Sequence, residues 1–278
     1  YLSQGDHVVL QNDLYGGSRN FVKTEFPKYG ITYTFTEGLE VADFEKAIQA
    51  NTKGIYLETP SNPLLKLVDL KAVAQLAQSR GLWTMIDNTF ASPVNQNPIA
   101  FGIDVVMHSA TKYLGGHSDI SGGIVVGNRA VIERVFDSAK NLGGNMSEFS
   151  AWLLERSIKT LALRVQAQNA NAQQIAEWLQ DNAAVDQVYY PGLKTHPDHQ
   201  LATQQMKGFG GMLSFSLQPG KSVERFLENL QLIKPVMSLA GVESTALSPR
   251  LTSHALLSEE ERLAQEIFLA CDGGSRSF

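Results

Sequence analysis

The stretch WTMIDNTFASPVNQNPIAFGIDVVMHSATKYLGGHSD spans residues 83–119 and contains two short apolar runs. Residues 83–86 and 105–107 have the length and the apolar content of buried strands. Each run is followed by a polar residue, Asp87 after the first and His108 after the second. The stretch therefore predicts two neighbouring strands of a sheet, with polar side chains at their carboxyl ends.

Strand-like and helix-like segments alternate around this stretch as far as about residue 145. Further strands are predicted over residues 8–10, 31–35, 54–57 and 124–126. Asp69 is suited to cap a helix that ends at Gly81. The predicted inward residues of that helix are Leu70, Val73, Leu76 and Ala77, and those of another helix from about Ala42 are Phe44, Ala47 and Ile48. Alternation of this kind predicts an α/β fold with a mainly parallel sheet, in which ligands bind at the carboxyl ends of the strands.

The pattern changes near residue 149. Residues 150–181 contain neither Gly nor Pro, which predicts one long helix. Strands over residues 188–190 and 212–217 should follow. The predicted inward residues are Val165, Ala172, Ile175, Ala176 and Leu179 in the long helix, then Val223, Phe226, Leu227 and Leu230, with Trp152 and Trp178 also in the core. We expect a large domain over residues 1–145, and the linking helix with a smaller C-terminal α+β domain over residues 146–278.

Composition and charge argue against several classes of partner. The formal net charge of −5 does not suit a nucleic-acid-binding protein, which presents a basic face. No apolar run approaches the roughly 18 residues of a membrane helix. Cys271 is the only cysteine, so no internal disulfide is expected and a reducing cytoplasm is the expected compartment.

Asp87 and Lys112 are the residues whose placement predicts chemistry. Both follow predicted neighbouring strands, so they should share one crevice. A lysine amine condenses with an aldehyde cofactor, and a carboxylate keeps a pyridine nitrogen protonated so that the ring accepts carbanion electrons. Ser109 and Thr111 flank the lysine and are suited to bind a phosphate. For a lone Lys and Asp, a surface lysine and a capping aspartate would be the simpler interpretation.

The sequence around Lys112 resembles the cofactor-lysine signature of the Cys/Met-metabolism pyridoxal-phosphate enzymes, which include cystathionine lyases and synthases, methionine γ-lyase and O-acylhomoserine sulfhydrylases. The resemblance is carried by residues 109–119 (SATKYLGGHSD), 13–17 (DLYGG), 58–63 (ETPSNP), 87–90 (DNTF), 207–212 (KGFGGM) and 238–244 (SLAGVES). It covers residues 5 to about 265 in the family's order. The resemblance implies the aspartate-aminotransferase-like fold (fold type I) and pyridoxal 5'-phosphate as cofactor.

By this resemblance, Lys112 holds the cofactor as a Schiff base and later moves the substrate's protons. Asp87 pairs with the pyridinium, while Ser109 and Thr111 hold the phosphate. Tyr15 stacks on the ring and assists proton transfer. From the residues alone, Tyr15 is equally well an aromatic residue in a Tyr-Gly-Gly turn.

Two further assignments also follow from the resemblance. Asn62 would lie near the ring oxygen of the cofactor or the carboxylate of the substrate, and Ser238 at the substrate carboxylate. The alternatives are an ordinary Ser-Asn-Pro turn for Asn62 and a plain loop serine for Ser238.

Two other kinds of site are not expected. Pro197 separates His196 from His199 and no Cys or carboxylate cluster joins them, so we predict no metal site.

A nucleotide-binding oxidoreductase is the alternative enzyme class. The Gly208-Phe209-Gly210 run argues against a dinucleotide site, because Leu213 stands where a third glycine is needed.

The family implies two elements that we expect this chain to lack. One is an N-terminal arm with a Tyr-x-Arg element and a Ser-Gly-Met segment, both of which grip the phosphate. The other is a strand beyond residues 258–265 whose arginine binds the substrate carboxylate, a role that we do not give to Arg276. We therefore expect low activity from the chain alone. A non-catalytic fragment or regulatory homologue is the alternative from a non-enzyme class.

The resemblance implies a carbon–sulfur lyase of cysteine metabolism and methionine biosynthesis, acting on cystathionine or a related amino acid. Met237 stands where many γ-synthases and γ-lyases carry Glu, which favours a cystathionine β-lyase or a mixed β/γ-lyase. Cystathionine γ-synthase, a sulfhydrylase and methionine γ-lyase are the alternatives. Shared active sites in the family imply a homodimer or homotetramer.

Overall fold

In a computed structural model of the chain, which describes residues 1–249, a six-stranded sheet forms the centre. Its strands are β1 (His7–Leu10), β2 (Thr32–Phe35), β3 (Thr52–Glu58), β4 (Trp83–Asp87), β5 (Val105–Ser109) and β6 (Gly123–Gly127), in the order β2-β1-β3-β4-β5-β6. All neighbours pair in parallel except β6, which is antiparallel to β5. The prediction of a mainly parallel sheet in an α/β fold is confirmed.

Helices connect the strands. They are α1 (Gly16–Glu25), α2 (Val41–Ala47), α3 (Leu70–Ser79), α4 (Ser92–Asn95) and α5 (Arg129–Leu142), with short 3₁₀ turns at Phe26–Tyr29 and Pro98–Phe101. Asp69 caps α3 as predicted, because its carboxylate accepts a hydrogen bond from the Ala72 backbone N–H at 2.9 Å.

The main core lies between the sheet and helices α2 and α3. Its fully buried side chains include Val9, Phe44, Ile55, Leu57, Leu70, Val73 and Ile86. Each contributes about 1.5–3 kcal/mol by leaving water. The core therefore fixes β3 and β4, whose ends carry polar residues.

The prediction of one unbroken helix over residues 150–181 is wrong. The structure has α6 (Glu148–Ile158) and α7 (Leu161–Gln180), with two residues between them. The Ser157 carbonyl oxygen accepts hydrogen bonds from the Thr160 hydroxyl at 3.1 Å and from the Arg164 guanidinium at 3.0 Å. Side-chain donors thus satisfy the end of α6, and the helix stops without Gly or Pro.

Three apolar side chains predicted to face inward are exposed instead. The exposed fractions are 56% for Trp152, 64% for Trp178 and 44% for Ile175. Helix α7 buries only a narrow stripe, so Ile175 and Trp178 fall outside it. Trp152 lies on the surface beside Phe149, with ring centroids 5.8 Å apart. The predicted inward residues Val165, Ala172, Ala176 and Leu179 are buried.

A separate antiparallel pair follows, made of β7 (Val185–Tyr189) and β8 (Ser214–Leu217). Helix α8 (His199–Gln205) lies between them in sequence, and α9 (Val223–Glu228) comes after. Phe226 of α9 packs edge-on against Phe215 of β8, with ring centroids 5.6 Å apart. A domain boundary at residue 145 stays a prediction, and the assignments on residues 258–265, Cys271 and Arg276 lie outside the described residues. No helix within residues 1–249 is long and apolar enough to cross a membrane.

Candidate active site

Three strands end at one edge of the sheet, and the predicted site residues lie there. Glu58 is the last residue of β3 and Asp87 the last residue of β4, and the strand register places them side by side. β5 continues to Ser109, and Lys112 lies three residues further. Because β3, β4 and β5 are parallel, their carboxyl ends meet. Asp87 and the segment that carries Lys112 therefore share this edge.

Thr89 joins the Asp87 carboxylate to the end of β5. The Thr89 hydroxyl donates to Asp87 Oδ1 at 2.5 Å and accepts the backbone N–H of Ser109 at 2.8 Å. The Thr89 backbone N–H also donates to Asp87 Oδ1, at 3.0 Å. Burial raises the pKa of Asp87, while the two hydrogen bonds from Thr89 oppose that shift by stabilising the carboxylate.

Residues 110–122, which we call the Lys112 loop, fold tightly on themselves. Backbone hydrogen bonds join Gly115 N–H to the Ala110 carbonyl at 2.8 Å and Gly116 N–H to the Lys112 carbonyl at 2.7 Å. Gly116 has a φ of +70°, and a side chain there would also collide with the Arg164 guanidinium. At Gly115 an added Cβ would lie 2.7 Å from the Ala110 carbonyl oxygen, so both glycines are needed for the loop to close behind Lys112.

The Lys112 amine lies close to Ser238. Lys112 Nζ donates to Ser238 Oγ at 3.2 Å, across 126 positions of sequence. Partial burial lowers the pKa of Lys112. A larger share of the amine is therefore unprotonated at neutral pH, which makes it a better nucleophile.

Ser109 ends β5 and Thr111 directly precedes Lys112, and both are half-buried. The Thr111 hydroxyl is partly engaged, because it accepts the Gly122 N–H at 3.1 Å and lies 3.4 Å from the Gly122 carbonyl oxygen. It retains one acceptor position but no free donor. Ser109 is consequently the better placed of the two hydroxyls to bind an anion.

Tyr15 and Asn62 follow β1 and β3 at the same edge of the sheet. Tyr15 precedes α1 and is 51% exposed, and its backbone N–H donates to Glu58 Oε2 at 2.7 Å. Asn62 is half-buried, four residues past the end of β3. A hydrogen bond to Glu58 therefore holds Tyr15 at this edge. Asn62 is located there only by its position after β3.

Three residues that organise the site were not predicted from the sequence: Thr89, Gln168 and Glu58. The Gln168 amide donates to the Gly241 carbonyl at 2.8 Å, and so ties α7 to the segment that carries Ser238. Thr89 and Glu58 belong to the motifs over residues 87–90 and 58–63. Their position as polar residues at or just after the end of a buried strand could have indicated a role in the site. Gln168 gave no signal, since its partner is 73 residues away.

The two histidines considered for a metal have other partners. His196 Nδ1 accepts the Asp198 backbone N–H at 3.1 Å, and His199 Nδ1 contacts the Pro191 carbonyl oxygen at 2.8 Å. Across residues 1–249, no group of three or more His, Cys, Asp or Glu side chains is arranged to hold a metal ion.

The donor set at the sheet edge fits pyridoxal phosphate. A buried carboxylate suits a pyridinium nitrogen, an amine of lowered pKa suits an aldehyde, and the Ser109 hydroxyl suits a phosphate. Asp87, Lys112 and Ser109 stand together through Thr89 and the strand ends. The fold and this site define a pyridoxal-phosphate-dependent enzyme.

The comparison with family models agrees. Residues 1–269 match the model described as Cys/Met metabolism PLP-dependent enzyme, and the chain belongs to this family.

Curated relatives and solved structures cover most of the chain. The chain is 45% identical over 261 residues to a cystathionine β-lyase of Lactococcus lactis subsp. cremoris, which is 94% of this chain and 69% of that protein. Identity to a cystathionine γ-lyase of Bacillus subtilis is also 45%, over 262 residues, with the same two coverages of 94% and 69%. The crystal structure of cystathionine γ-lyase from Lactobacillus plantarum complexed with L-serine superposes with a TM-score of 0.94 at 42% identity, covering 99% of this chain and 74% of that one.

Proposed function

We propose that this enzyme is a carbon–sulfur lyase that cleaves cystathionine, mainly at the β-carbon. The observation that carries the proposal is the link from the buried Asp87 carboxylate through Thr89 to the end of β5, three residues before Lys112. The names of the relatives support cystathionine as substrate.

When bound, pyridoxal phosphate supplies an electron sink that makes the α-proton of an amino acid acidic. Asp87 would hold the pyridine nitrogen in its protonated form, since a buried carboxylate is a strong partner for a cation. Lys112 would hold the aldehyde carbon covalently and, once released, carry the α-proton on Nζ. Its lowered pKa suits both tasks, because each needs the unprotonated amine.

The remaining site residues would orient the ligands. Ser109 would donate to the phosphate, and Thr111 would support the loop through Gly122. Tyr15 would cover the cofactor ring and assist proton transfer through its hydroxyl. Ser238 would bind the substrate carboxylate once Lys112 releases it, and Asn62 would contact the ring oxygen or that carboxylate.

Cleavage at the β-carbon is favoured by Met237. It is a neutral side chain, 70% exposed, and directly precedes Ser238, whose hydroxyl accepts a hydrogen bond from the Lys112 amine. The test is a product assay in which the purified protein, loaded with pyridoxal phosphate, is given cystathionine. We expect pyruvate and homocysteine as the main products, with Lys112→Ala as the inactive control.

Two results would contradict this proposal in different ways. If 2-oxobutyrate and cysteine were the only products, the reaction would be a γ-elimination and the proposed cleavage position would be wrong. If the loaded protein released neither keto acid but made cystathionine from cysteine and an activated homoserine, it would be a synthase.

We also propose that the chain assembles into a homodimer or homotetramer. Helices α5, α6 and α7 expose large apolar side chains, namely Phe136, Leu142, Phe149, Trp152 and Leu163. Exposed apolar side chains of this size are typical of interaction surfaces. Sedimentation velocity should show a dimer or larger species that dissociates when Phe149 and Trp152 are both replaced by Ser. A monomer at micromolar concentration would overturn the proposal.

We propose the cytoplasm as its compartment. The sequence of 278 residues has one cysteine, so it forms no internal disulfide that an oxidising compartment would have to maintain. Fractionation of cells that express the gene, with an antibody against the protein, tests this directly.

A further inference from the structure

Glu58 is a buried acid at the site to which the proposed function gives no role. It ends β3, is 5% exposed, and stands beside Asp87 in the strand register. Its carboxyl group accepts the backbone N–H of Tyr15 at 2.7 Å, and Tyr15 is the residue directly before α1. The residue before α1 makes no side-chain capping hydrogen bond. Glu58, on the neighbouring strand β3, instead provides a hydrogen-bond acceptor at the N-terminus of this helix, where acceptors are favourable.

The side-chain amide of Gln11 makes hydrogen bonds to both backbone groups of Glu58. Gln11 Oε1 accepts the Glu58 N–H at 3.0 Å, and Gln11 Nε2 donates to the Glu58 carbonyl at 2.8 Å. Gln11 is fully buried and directly follows β1, the strand that leads to Tyr15. The position of the Glu58 carboxyl group is thus fixed by β1 and β3 together, while Tyr15 itself is half-exposed and needs an anchor.

The electrostatics distinguish the two neighbouring acids. Burial and the nearby Asp87 raise the pKa of Glu58 well above its ordinary range. Asp87 receives two hydrogen bonds from Thr89 that favour its charged form. The surroundings of Asp87 therefore favour the charged form more than those of Glu58 do. A carboxyl group offers an oxygen to the Tyr15 N–H in either protonation state, so a neutral isostere that keeps this oxygen should replace it.

We propose that Glu58 is a positioning residue for Tyr15, holding the start of α1, and with it the phenol ring, at the sheet edge where Asp87 ends β4. This inference rests on the proposed role of Tyr15. Glu58 acts through the backbone of its neighbour and touches no reacting atom. Its loss should misplace the phenol without disturbing the Asp87–Thr89–Ser109 connection.

The experiment compares Glu58→Gln, Glu58→Met, Tyr15→Phe and the double variant Glu58→Met/Tyr15→Phe with the wild type. Gln keeps the acceptor oxygen, whereas Met fills the same volume without one. In the apoprotein we expect the Tyr15 amide to exchange its hydrogen at least about tenfold faster in Glu58→Met, and at the wild-type rate in Glu58→Gln and Tyr15→Phe.

In the enzyme loaded with pyridoxal phosphate, kcat should fall in Glu58→Met and in Tyr15→Phe, and recover to within about threefold of wild type in Glu58→Gln. The double variant should be no slower than the slower single variant, because Glu58 acts through the phenol. Additive losses, or a protected Tyr15 amide in Glu58→Met, would overturn the proposal. If Glu58→Met does not fold, Glu58→Ala takes its place.

The proposed role of Tyr15 can be disproved independently of the role of Glu58. If Tyr15→Phe has wild-type kcat, Tyr15 takes no part in proton transfer, and the amide exchange of Glu58→Met still decides whether Glu58 anchors α1. If exchange is unchanged while Tyr15→Phe is slow, Tyr15 keeps its role and Glu58 loses the one proposed here.

Discussion

The two sides of the site are built differently. On one side, Asp87 and the Lys112 loop rest on adjacent strands of a buried sheet, and Thr89 connects them. On the other side, Ser238 belongs to residues 230–249, an irregular segment with positive φ at Ser238 and Ala240. Gln168 is the side chain of α7 that ties this segment down, through the Gly241 carbonyl. The cofactor side directly continues strands of the core, whereas the substrate side is an irregular segment that packs on the Lys112 loop through Leu239 and Ala240 and is tied to α7 by one hydrogen bond.

The comparison predicts that substitutions on the strand side affect the chemistry, and substitutions on the segment side affect substrate binding.

Lys112→Ala should show the largest effect. It removes the group that holds the cofactor and carries the proton, so kcat should fall at least about 10³-fold. The polar contact of Lys112 Nζ is with Ser238, and the melting temperature of the apoprotein should therefore change little. Steady-state kinetics and thermal unfolding check both parts. Lys221→Ala, at an exposed lysine, is the matched control and should be fully active.

Asp87→Asn should separate activity from stability. The amide oxygen still accepts from Thr89, but the negative charge is lost, so kcat should fall by about 10²-fold. Burial raises the pKa of Asp87, so the folded wild type loses stability as the pH rises from the ordinary carboxyl range to that raised pKa. The variant avoids this loss, and its apoprotein should melt no lower than wild type at pH 7. A large drop in melting temperature would show that the ionised carboxylate stabilises the fold.

Acid should weaken the strand side through His108. This residue of β5 is 5% exposed, and burial lowers its pKa to about 4. The unfolded chain takes up a proton below its ordinary pKa of about 6.5 and the folded chain does not, so stability falls as the pH drops from 6.5 towards 4. His108→Gln should lose about 2 kcal/mol less than wild type between pH 6.5 and 4.5, as measured by urea unfolding. Equal losses of unfolding free energy in the wild type and in His108→Gln would show that another group takes up the proton.

Gln168→Leu should show the smallest effect, confined to the substrate side. Losing its hydrogen bond to Gly241 frees the segment around Ser238, so KM should rise by roughly fivefold, or about 1 kcal/mol. The dissociation constant of pyridoxal phosphate should stay at the wild-type value. Ser238→Ala should behave alike. A loss of cofactor affinity in either variant would contradict the division of the site into two sides.

The sequence predicted the strand side well because that side depends on local patterns. A buried run followed by a polar residue locates Asp87, and the Lys112 loop is fixed by its own glycines. The rest depends on contacts between distant residues. Helix α6 ends because Arg164 reaches back to the Ser157 carbonyl, and Glu58 matters because its strand lies next to Asp87. The break before α7 leaves no Gly or Pro in the sequence, and the polar residue at the end of β3 does not by itself show that Glu58 binds the Tyr15 backbone.

We propose above all that the strand ends build a site for pyridoxal phosphate on Lys112. The most direct measurement is to incubate the purified chain with pyridoxal phosphate, reduce it with borohydride and map the label by mass spectrometry. We predict a single phosphopyridoxyl group on Lys112 in the wild type. The amount of this label should be smaller in Asp87→Asn and the same as in the wild type in Gln168→Leu. Label scattered over exposed lysines, with none enriched on Lys112, would contradict the proposed cofactor site.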